Sequence, residues 1–162
     1  MRTLVVGVGN EDRGDDGAGP YAARLLRAAW SGGMPAGVEV LVWSGDPLGL
    51  LDRLTGVDRL LLVDAVVTGA PPGTIHRLLP DAPFATAPAA SSHGLGLAEA
   101  LALGRALGRL PPHVEVWGVE GAAFDLGTGL HEVVRRGVER VVDGLLVQKP
   151  WSSEQRNSVS SE

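Results

Sequence analysis

The hydrophobic and polar positions of the chain alternate between runs typical of buried strands and stretches typical of amphipathic helices. Thr3–Val8 is almost continuously apolar, and Asp58–Val67 contains a second such run. Strands covered on both faces have this pattern. After the first run, Tyr21, Leu25 and Leu26 recur at helical spacing. The pattern therefore predicts an alternation of strands and helices along the chain.

Nine elements are predicted in this way. They are strands over 3–8, 38–43, 58–67, 73–79 and 113–119, and helices over 17–30, from 47, over 94–107 and over 130–147. This order predicts an α/β sandwich with helices on both faces of one sheet. The link from Val67 to Gly73 is too short for a parallel crossover, which needs roughly a dozen residues. The fourth strand should therefore run antiparallel to the third, which makes the sheet mixed.

Length and composition then narrow the class of protein. The 162 residues suit one domain, which we assign to 1–148, and the polar, serine-rich segment 149–162 is predicted to be a loose tail. Acidic residues outnumber basic ones by 19 to 14, so no basic patch is expected for nucleic acid. Cysteine is absent, which excludes disulfides, a thiol nucleophile and thiolate metal ligands. No signal peptide or membrane-length apolar run is seen, so we expect a cytoplasmic protein without membrane contact.

Three segments bring unusual polar residues towards one edge of the predicted sheet. Asp16 lies in the loop after the first strand, Asp64 ends the apolar run of the third, and His93 precedes a helix. Ligands of open α/β sheets bind beyond the carboxyl ends of the parallel strands. Carboxylate and imidazole ligands without thiolate suit borderline divalent metals such as nickel or zinc. A divalent metal site is therefore one interpretation of this edge.

Each of these residues also has a purely structural interpretation. Asp15 and Asp16 begin a predicted helix, where carboxylates interact favourably with the helix dipole. Asp64 is placed to accept hydrogen bonds from loop amides, and His93 to cap or pack against its helix. Glu120, after the fifth strand, either adds charge to the same edge or caps a turn, and capping is favoured.

Other patterns do not match known binding motifs. The Gly7-x-Gly9 pair lacks the third glycine of a dinucleotide fingerprint, and no Gly-Lys-Ser/Thr follows it. His76, His113 and His131 have no acidic or histidine partner at ligand spacing, so we expect them to be structural or exposed.

Four segments together resemble the hydrogenase maturation proteases, the endopeptidases that trim the large subunit of nickel-iron hydrogenases. They are Gly7–Asn10, Gly14–Gly19, Leu62–Ala65 and Ser92–Leu97. The similarity runs in order from about Thr3 to Val147 and so covers nearly the whole predicted domain.

The resemblance implies a three-layer α/β/α fold with a mixed five-stranded sheet whose fourth strand is antiparallel. It implies removal of a C-terminal extension from the nickel-loaded large-subunit precursor, with Asp16, Asp64 and His93 contacting the nickel. The resemblance also implies that the nickel arrives with the substrate, and another divalent metal is the alternative ion. No nucleophile is assigned, so the same three residues are also the catalytic candidates. We expect a monomer that binds its precursor transiently.

Further candidates surround these ligands, and two departures from the family pattern stand out. Asn10, Asp15 and Glu120 are candidates for supporting the metal ligands.

The position of the first metal ligand, often Glu in the family, is occupied by Asp16 here. The Gly-Gly-Thr that often follows strand two, a motif linked to substrate choice, is replaced by Ser44–Pro47, which makes Gly45 and Asp46 substrate-recognition candidates.

An alternative function from another class of protein stays open. The same fold would serve as a non-catalytic binding module, holding a metal-loaded partner, or a small anion at the loop over 9–17.

Overall fold

A five-stranded sheet with helices on both faces forms the fold of the protein, seen in a computed structural model that describes residues 1–78 and 96–152. The strands are β1 Thr3–Val8, β2 Val38–Trp43, β3 Arg59–Val66, β4 Ile75–Leu78 and β5 His113–Glu120, and the helices are α1 Ala18–Ala29, α2 Pro47–Leu50, α3 Leu97–Ala106 and α4 Glu132–Gln148. Short 3-10 turns at Gly14–Gly17 and Leu51–Arg53 precede α1 and follow α2. None of the helices in these two described stretches is long and apolar enough to cross a membrane.

The strand order β2-β1-β3-β5-β4 brings the carboxyl ends of β1 and β3 side by side at the centre of the sheet. β1 pairs in parallel with both β2 and β3, and β3 pairs in parallel with β5. β4 is antiparallel to its neighbour β5. The predicted three-layer fold and the reversed fourth strand are therefore confirmed, and the short link after β3 carries the chain past β5 to the sheet edge.

Two apolar clusters pack the sheet between its helical layers. Leu61 and Val63 of β3 face the cluster that α1 and α4 cover. Leu60 and Leu62 face the opposite cluster, which α2 and α3 cover. Because side chains alternate along a strand, Asp64 belongs to the face of Leu60 and Leu62. The second layer of helices therefore covers the face of the sheet on which Asp64 lies.

Element boundaries differ from the prediction mainly next to glycines. The predicted first helix starts as the 3-10 turn at Gly14–Gly17, and Gly14 has a φ of +55°, which a helix does not use. The fourth strand starts at Ile75 rather than at Gly73, whose φ is +86°. Residues 79–95, which include the first residues of the predicted 94–107 helix, lie outside the described part of the chain.

The end of α4 leads into a short packed segment. Lys149 adopts the left-handed conformation that ends the helix, with a φ of 46°. Pro150 is buried, and Trp151 meets the ring of Trp30 edge-on at a centroid distance of 4.9 Å. The sequence predicts a loose tail from Lys149; packed residues continue to Trp151, and residues 153–162 lie outside the described part of the chain.

Candidate active site

Asp16 is held beyond the end of β1 by the loop that leaves this strand. Its carboxylate oxygen Oδ2 accepts a hydrogen bond of 2.9 Å from the backbone N–H of Asn10, and the side chain is 9% exposed. The Asn10 side-chain oxygen accepts from the backbone N–H of Asp12 and so fixes the loop. Burial raises the pKa of Asp16, although the Asn10 hydrogen bond and the charge of Arg13 lower it. Asp16 is therefore an anchored, largely buried carboxylate.

Close packing of the backbone explains why glycine occupies position 9. Gly9 has a φ of +137°, and a Cβ there would collide with the carbonyl oxygen of Asp16. Its N–H donates to the carbonyl oxygen of Trp43 at the end of β2. The glycine thus lets the 3-10 turn that carries Asp16 press against the ends of two strands.

Asp64 is the second buried carboxylate at this edge. It lies near the end of β3 and is only 4% exposed. Its pKa is raised well above the usual value, first by burial and then by the negative charge of Asp16, while the Ala65 backbone N–H lowers it. Asp16, in the turn beyond β1, and Asp64, near the end of the neighbouring β3, therefore lie close enough to repel one another, an arrangement that a divalent cation would stabilise.

His93 lies outside the described residues. Helix α3 begins at Leu97, and Leu97 packs in the same cluster as Leu62, on the face of β3 that carries Asp64. Within 1–78 and 96–152, no group of three acidic or histidine side chains is placed to hold a metal ion. The structure thus brings together Asp16 and Asp64, and a three-residue site depends on His93.

Asp15 points away from Asp16 into the protein. Its carboxylate is fully buried and accepts hydrogen bonds from the backbone N–H groups of Ala122, Ala123 and His131 at 2.7, 3.1 and 2.9 Å. The His131 ring nitrogen Nδ1 lies 3.1 Å from Asp15 Oδ2. Asp15 therefore ties the turn of Asp16 to the segment between β5 and α4.

Glu120 acts as the turn-binding residue that the sequence favours. Its carboxylate accepts from the Thr68 N–H at 2.7 Å, the Thr68 hydroxyl at 2.9 Å and the Gly69 N–H at 3.0 Å, and the His76 ring nitrogen lies 3.1 Å away. Burial alone would raise the pKa of Glu120, but these hydrogen bonds lower it overall. The residue organises the turn between β3 and β4.

His76 and His131, which were predicted to be structural or exposed, have acidic partners that the sequence did not reveal. Each pairs with a buried carboxylate, His76 with Glu120 and His131 with Asp15. The partners are 44 and 116 residues apart in the chain, so ligand spacing along the sequence could not reveal them. His113 is exposed at the start of β5, as expected.

The two substrate-recognition candidates differ in what the fold requires of them. The Asp46 carboxylate accepts the Leu48 N–H at 3.0 Å and caps α2, and its carbonyl oxygen accepts from the Trp43 indole. Gly45 is exposed, and a Cβ there would meet only Trp43 Nε1, at 3.9 Å. Asp46 thus has a local structural role, whereas packing does not require glycine at position 45.

Comparison with known proteins bears on this site. The family model described as hydrogenase maturation protease matches residues 36–148. This chain belongs to the hydrogenase maturation protease family. The hydrogenase 2 maturation protease of Escherichia coli K12 is 30% identical over 148 residues, which cover 90% of this chain and 89% of that one. The hydrogenase expression/formation protein HupD of Thiocapsa roseopersicina is 33% identical over 143 residues.

Solved structures of the family have the same architecture. The hydrogenase-maturating endopeptidase HybD from E. coli matches with a TM-score of 0.75 and 28% identity, covering 94% of both chains. HybD from Thermococcus kodakarensis matches with a TM-score of 0.68 and 28% identity, covering 92% of this chain and 98% of that one. The alignment with HupD covers 86% of this chain but only 64% of HupD. The fold and family are thus established over most of this chain, which spans under two thirds of HupD.

Proposed function

We propose that this protein is an endopeptidase that removes a C-terminal extension from the nickel-loaded large-subunit precursor of a nickel-iron hydrogenase. Membership of the hydrogenase maturation proteases supports the general activity. The observation that carries the finer proposal is the proximity of two buried carboxylates, Asp16 in the turn beyond β1 and Asp64 near the end of the adjacent parallel strand β3. We infer that nickel in the precursor is the feature that this pair recognises.

The chemistry of the pair supports a cation as the ligand. Each carboxylate is buried, and burial raises the pKa of both, while the charge of Asp16 raises the pKa of Asp64 further. A divalent cation between them would offset this repulsion and stabilise both in the ionised form. Carboxylate oxygen together with imidazole nitrogen, without thiolate, suits a borderline divalent metal such as nickel. His93 would complete the set from the segment before α3.

Two neighbouring groups are assigned supporting parts in this proposal. Asn10 donates its backbone N–H to Asp16 and so holds the carboxylate in place at this edge of the sheet. Gly45, with no packing reason to be glycine, lies in the loop after β2 where a side chain would obstruct an approaching backbone. We assign Gly45 to contact with the precursor, and Asp46 to holding the loop through its cap on α2.

The test is an intact-mass assay on purified precursor in two forms, nickel-loaded and nickel-free. The proposal expects a mass loss equal to the C-terminal extension in the nickel-loaded form and an unchanged mass in the nickel-free form. A stable complex with no mass loss would instead identify a binding module. Equal cleavage of both forms would overturn the role of nickel and leave only the peptidase activity.

A further inference from the structure

Asp15 is a buried acidic residue next to Asp16, and the proposed recognition of nickel does not use it directly. It is 0% exposed, and every hydrogen bond described above for its carboxylate comes from residues 107 to 116 positions further along the chain. A buried carboxylate is costly unless its oxygens are satisfied, so the surrounding donors form a built anchor rather than a chance contact. The geometry points to a role in placing its neighbour.

The turn that contains Asp15 and Asp16 is fastened to the segment over 121–131 at several further points. The Gly14 N–H donates to the Thr128 carbonyl at 3.0 Å, and the Asp15 N–H donates to the Ala123 carbonyl at 2.9 Å. The Gly127 N–H donates to the Asp12 carbonyl at 2.8 Å. The backbone at Asp15 and on its N-terminal side is therefore bonded to the segment that leads into α4.

Glycines on both sides of the anchor let the two segments approach closely. A Cβ on Gly14 would lie 2.6 Å from the Ala123 carbonyl oxygen, and a Cβ on Gly121 would lie 3.2 Å from the Asp15 Cβ. On the other side, Asp16 accepts from the Asn10 N–H. The turn of Asp16 is thus held by the Asn10 N–H on one side and by the 121–131 segment on the other, and Asp15 is the side chain that bonds the turn to this segment.

We propose that Asp15 is a positioning residue, which fixes the Asp16 carboxylate for nickel recognition by bonding its turn to the 121–131 segment and to His131. The effect of Asp15 on cleavage rests on the proposed function. The dependence of the Asp16 position on Asp15 rests on the hydrogen bonds alone.

The test uses Asp15→Asn in the full chain, with Asp125→Asn as the matched control. Asparagine replaces one acceptor oxygen by an NH2 group, which would face the N–H groups that now donate to it. Asp125 is exposed in the same segment and bonds Thr128 through its backbone carbonyl, so its substitution removes the same charge without touching the anchor. His131→Ala is the milder second variant, because it removes the imidazole and keeps the backbone N–H.

The NMR chemical shift of the Asn10 amide proton is the direct measurement, since this proton reports the hydrogen bond to Asp16. We expect Asp15→Asn to move the shift towards the value of Asp16→Asn, His131→Ala to move it less in the same direction, and Asp125→Asn to leave it unchanged. We also expect Asp15→Asn to lower kcat/KM for the nickel-loaded precursor about 10- to 100-fold, as supporting partners of metal ligands do. A role in folding alone would lower the unfolding temperature and leave the Asn10 shift in place.

The proposal is overturned if both Asp15→Asn and His131→Ala keep the wild-type Asn10 shift while Asp16→Asn changes it. It is also overturned if Asp15→Asn cleaves as efficiently as Asp125→Asn. A wild-type protein that leaves the precursor uncut would refute the proposed function instead, and the Asn10 measurement would still decide the role of Asp15.

Discussion

The negative charge of Asp16 raises the pKa of Asp64, on the neighbouring strand end, beyond the rise that burial alone produces. The two carboxylates come from segments almost fifty residues apart in the chain, and the parallel pairing of β1 with β3 brings them together. Buried like charges reduce the stability of a fold, so such a pair is more typical of a functional site than of a structural one. The predictions below follow from this relationship and from the hydrogen bonds around it.

Asp64→Asn is expected to stabilise the metal-free protein at neutral pH. Because folding raises the pKa of Asp64 above its usual 3.8, the folded state holds this proton more tightly than the unfolded chain does. The contribution of Asp64 to the free energy of unfolding is therefore greatest below about pH 3.8 and is lost as pH rises through the folded pKa. Asparagine is neutral throughout, so we expect a gain of about 1 kcal/mol at neutral pH.

Denaturant unfolding at a series of pH values measures this effect, with Asp12→Asn as the exposed control in the same loop. The gain from Asp64→Asn should shrink as the solution becomes acidic, whereas Asp12→Asn should stay within about 0.5 kcal/mol of wild type throughout. A loss of stability at neutral pH in Asp64→Asn would show that the carboxylate stabilises the fold.

Added Ni²⁺ is expected to raise the unfolding temperature of the wild-type protein in a manner that needs both carboxylates. A ligand that binds only the folded state adds about 2.7 kcal/mol when its free concentration is a hundred times Kd. Protons compete for the same oxygens, so the stabilisation should weaken at acidic pH. Differential scanning calorimetry with and without Ni²⁺ tests this, and equal stabilisation of wild type, Asp16→Asn and Asp64→Asn would contradict it.

The same substitution at two glycines should separate stability from recognition. Gly9→Ala places a Cβ against the Asp16 carbonyl at a φ of +137°, so we expect a loss of at least about 2 kcal/mol of stability. The Cβ of Gly45→Ala would meet only Trp43 Nε1, at 3.9 Å, so the stability of this variant should stay within about 0.5 kcal/mol of wild type while cleavage of the precursor falls. Thermal unfolding and the intact-mass assay measure the two effects. Unchanged cleavage by Gly45→Ala would remove this glycine from the proposed contact surface.

Glu120→Ala is expected to destabilise the fold by about 2 kcal/mol, because it leaves the donors of Thr68, Gly69 and His76 without their acceptor. Folding lowers the pKa of this carboxyl from its usual 4.5, so its stabilising effect is present above that pH and is lost as pH falls through the folded pKa. Urea unfolding at neutral and acidic pH measures the loss of stability and its dependence on pH. If the difference in the free energy of unfolding between wild type and Glu120→Ala does not shrink in acid, the ionised carboxylate of Glu120 is not what stabilises the turn.

Local sequence signals were sufficient for most of the fold. The strand over Val38–Trp43 and the helix start at Asp46-Pro47 agree with the structure, because alternation and N-terminal capping are properties of neighbouring residues. The reversed direction of β4 followed from the short link after β3, which rules out a parallel crossover. The proximity of Asp16 and Asp64 followed from their places in the loop after the first predicted strand and near the end of the third.

The pairs Asp15–His131 and Glu120–His76 lay beyond what the sequence could predict. They depend on how the segment before α4 folds back on the first turn, and on β4 crossing to the far side of β5. No local pattern encodes contacts over such separations. The strongest available signal was chemical, since each pair joins an acidic residue near a strand or turn end to a histidine, but many other pairings satisfy the same description.

Cleavage of the nickel-loaded precursor by three single variants tests the central claim most directly. Asp16→Asn and Asp64→Asn each preserve shape while removing one proposed oxygen ligand, and Asp12→Asn removes the same charge from an exposed position in the same loop. We predict that kcat/KM falls at least about a hundredfold in each of the first two variants and stays within about threefold of wild type in Asp12→Asn. Wild-type cleavage by both Asp16→Asn and Asp64→Asn would contradict the claim that this pair recognises the nickel.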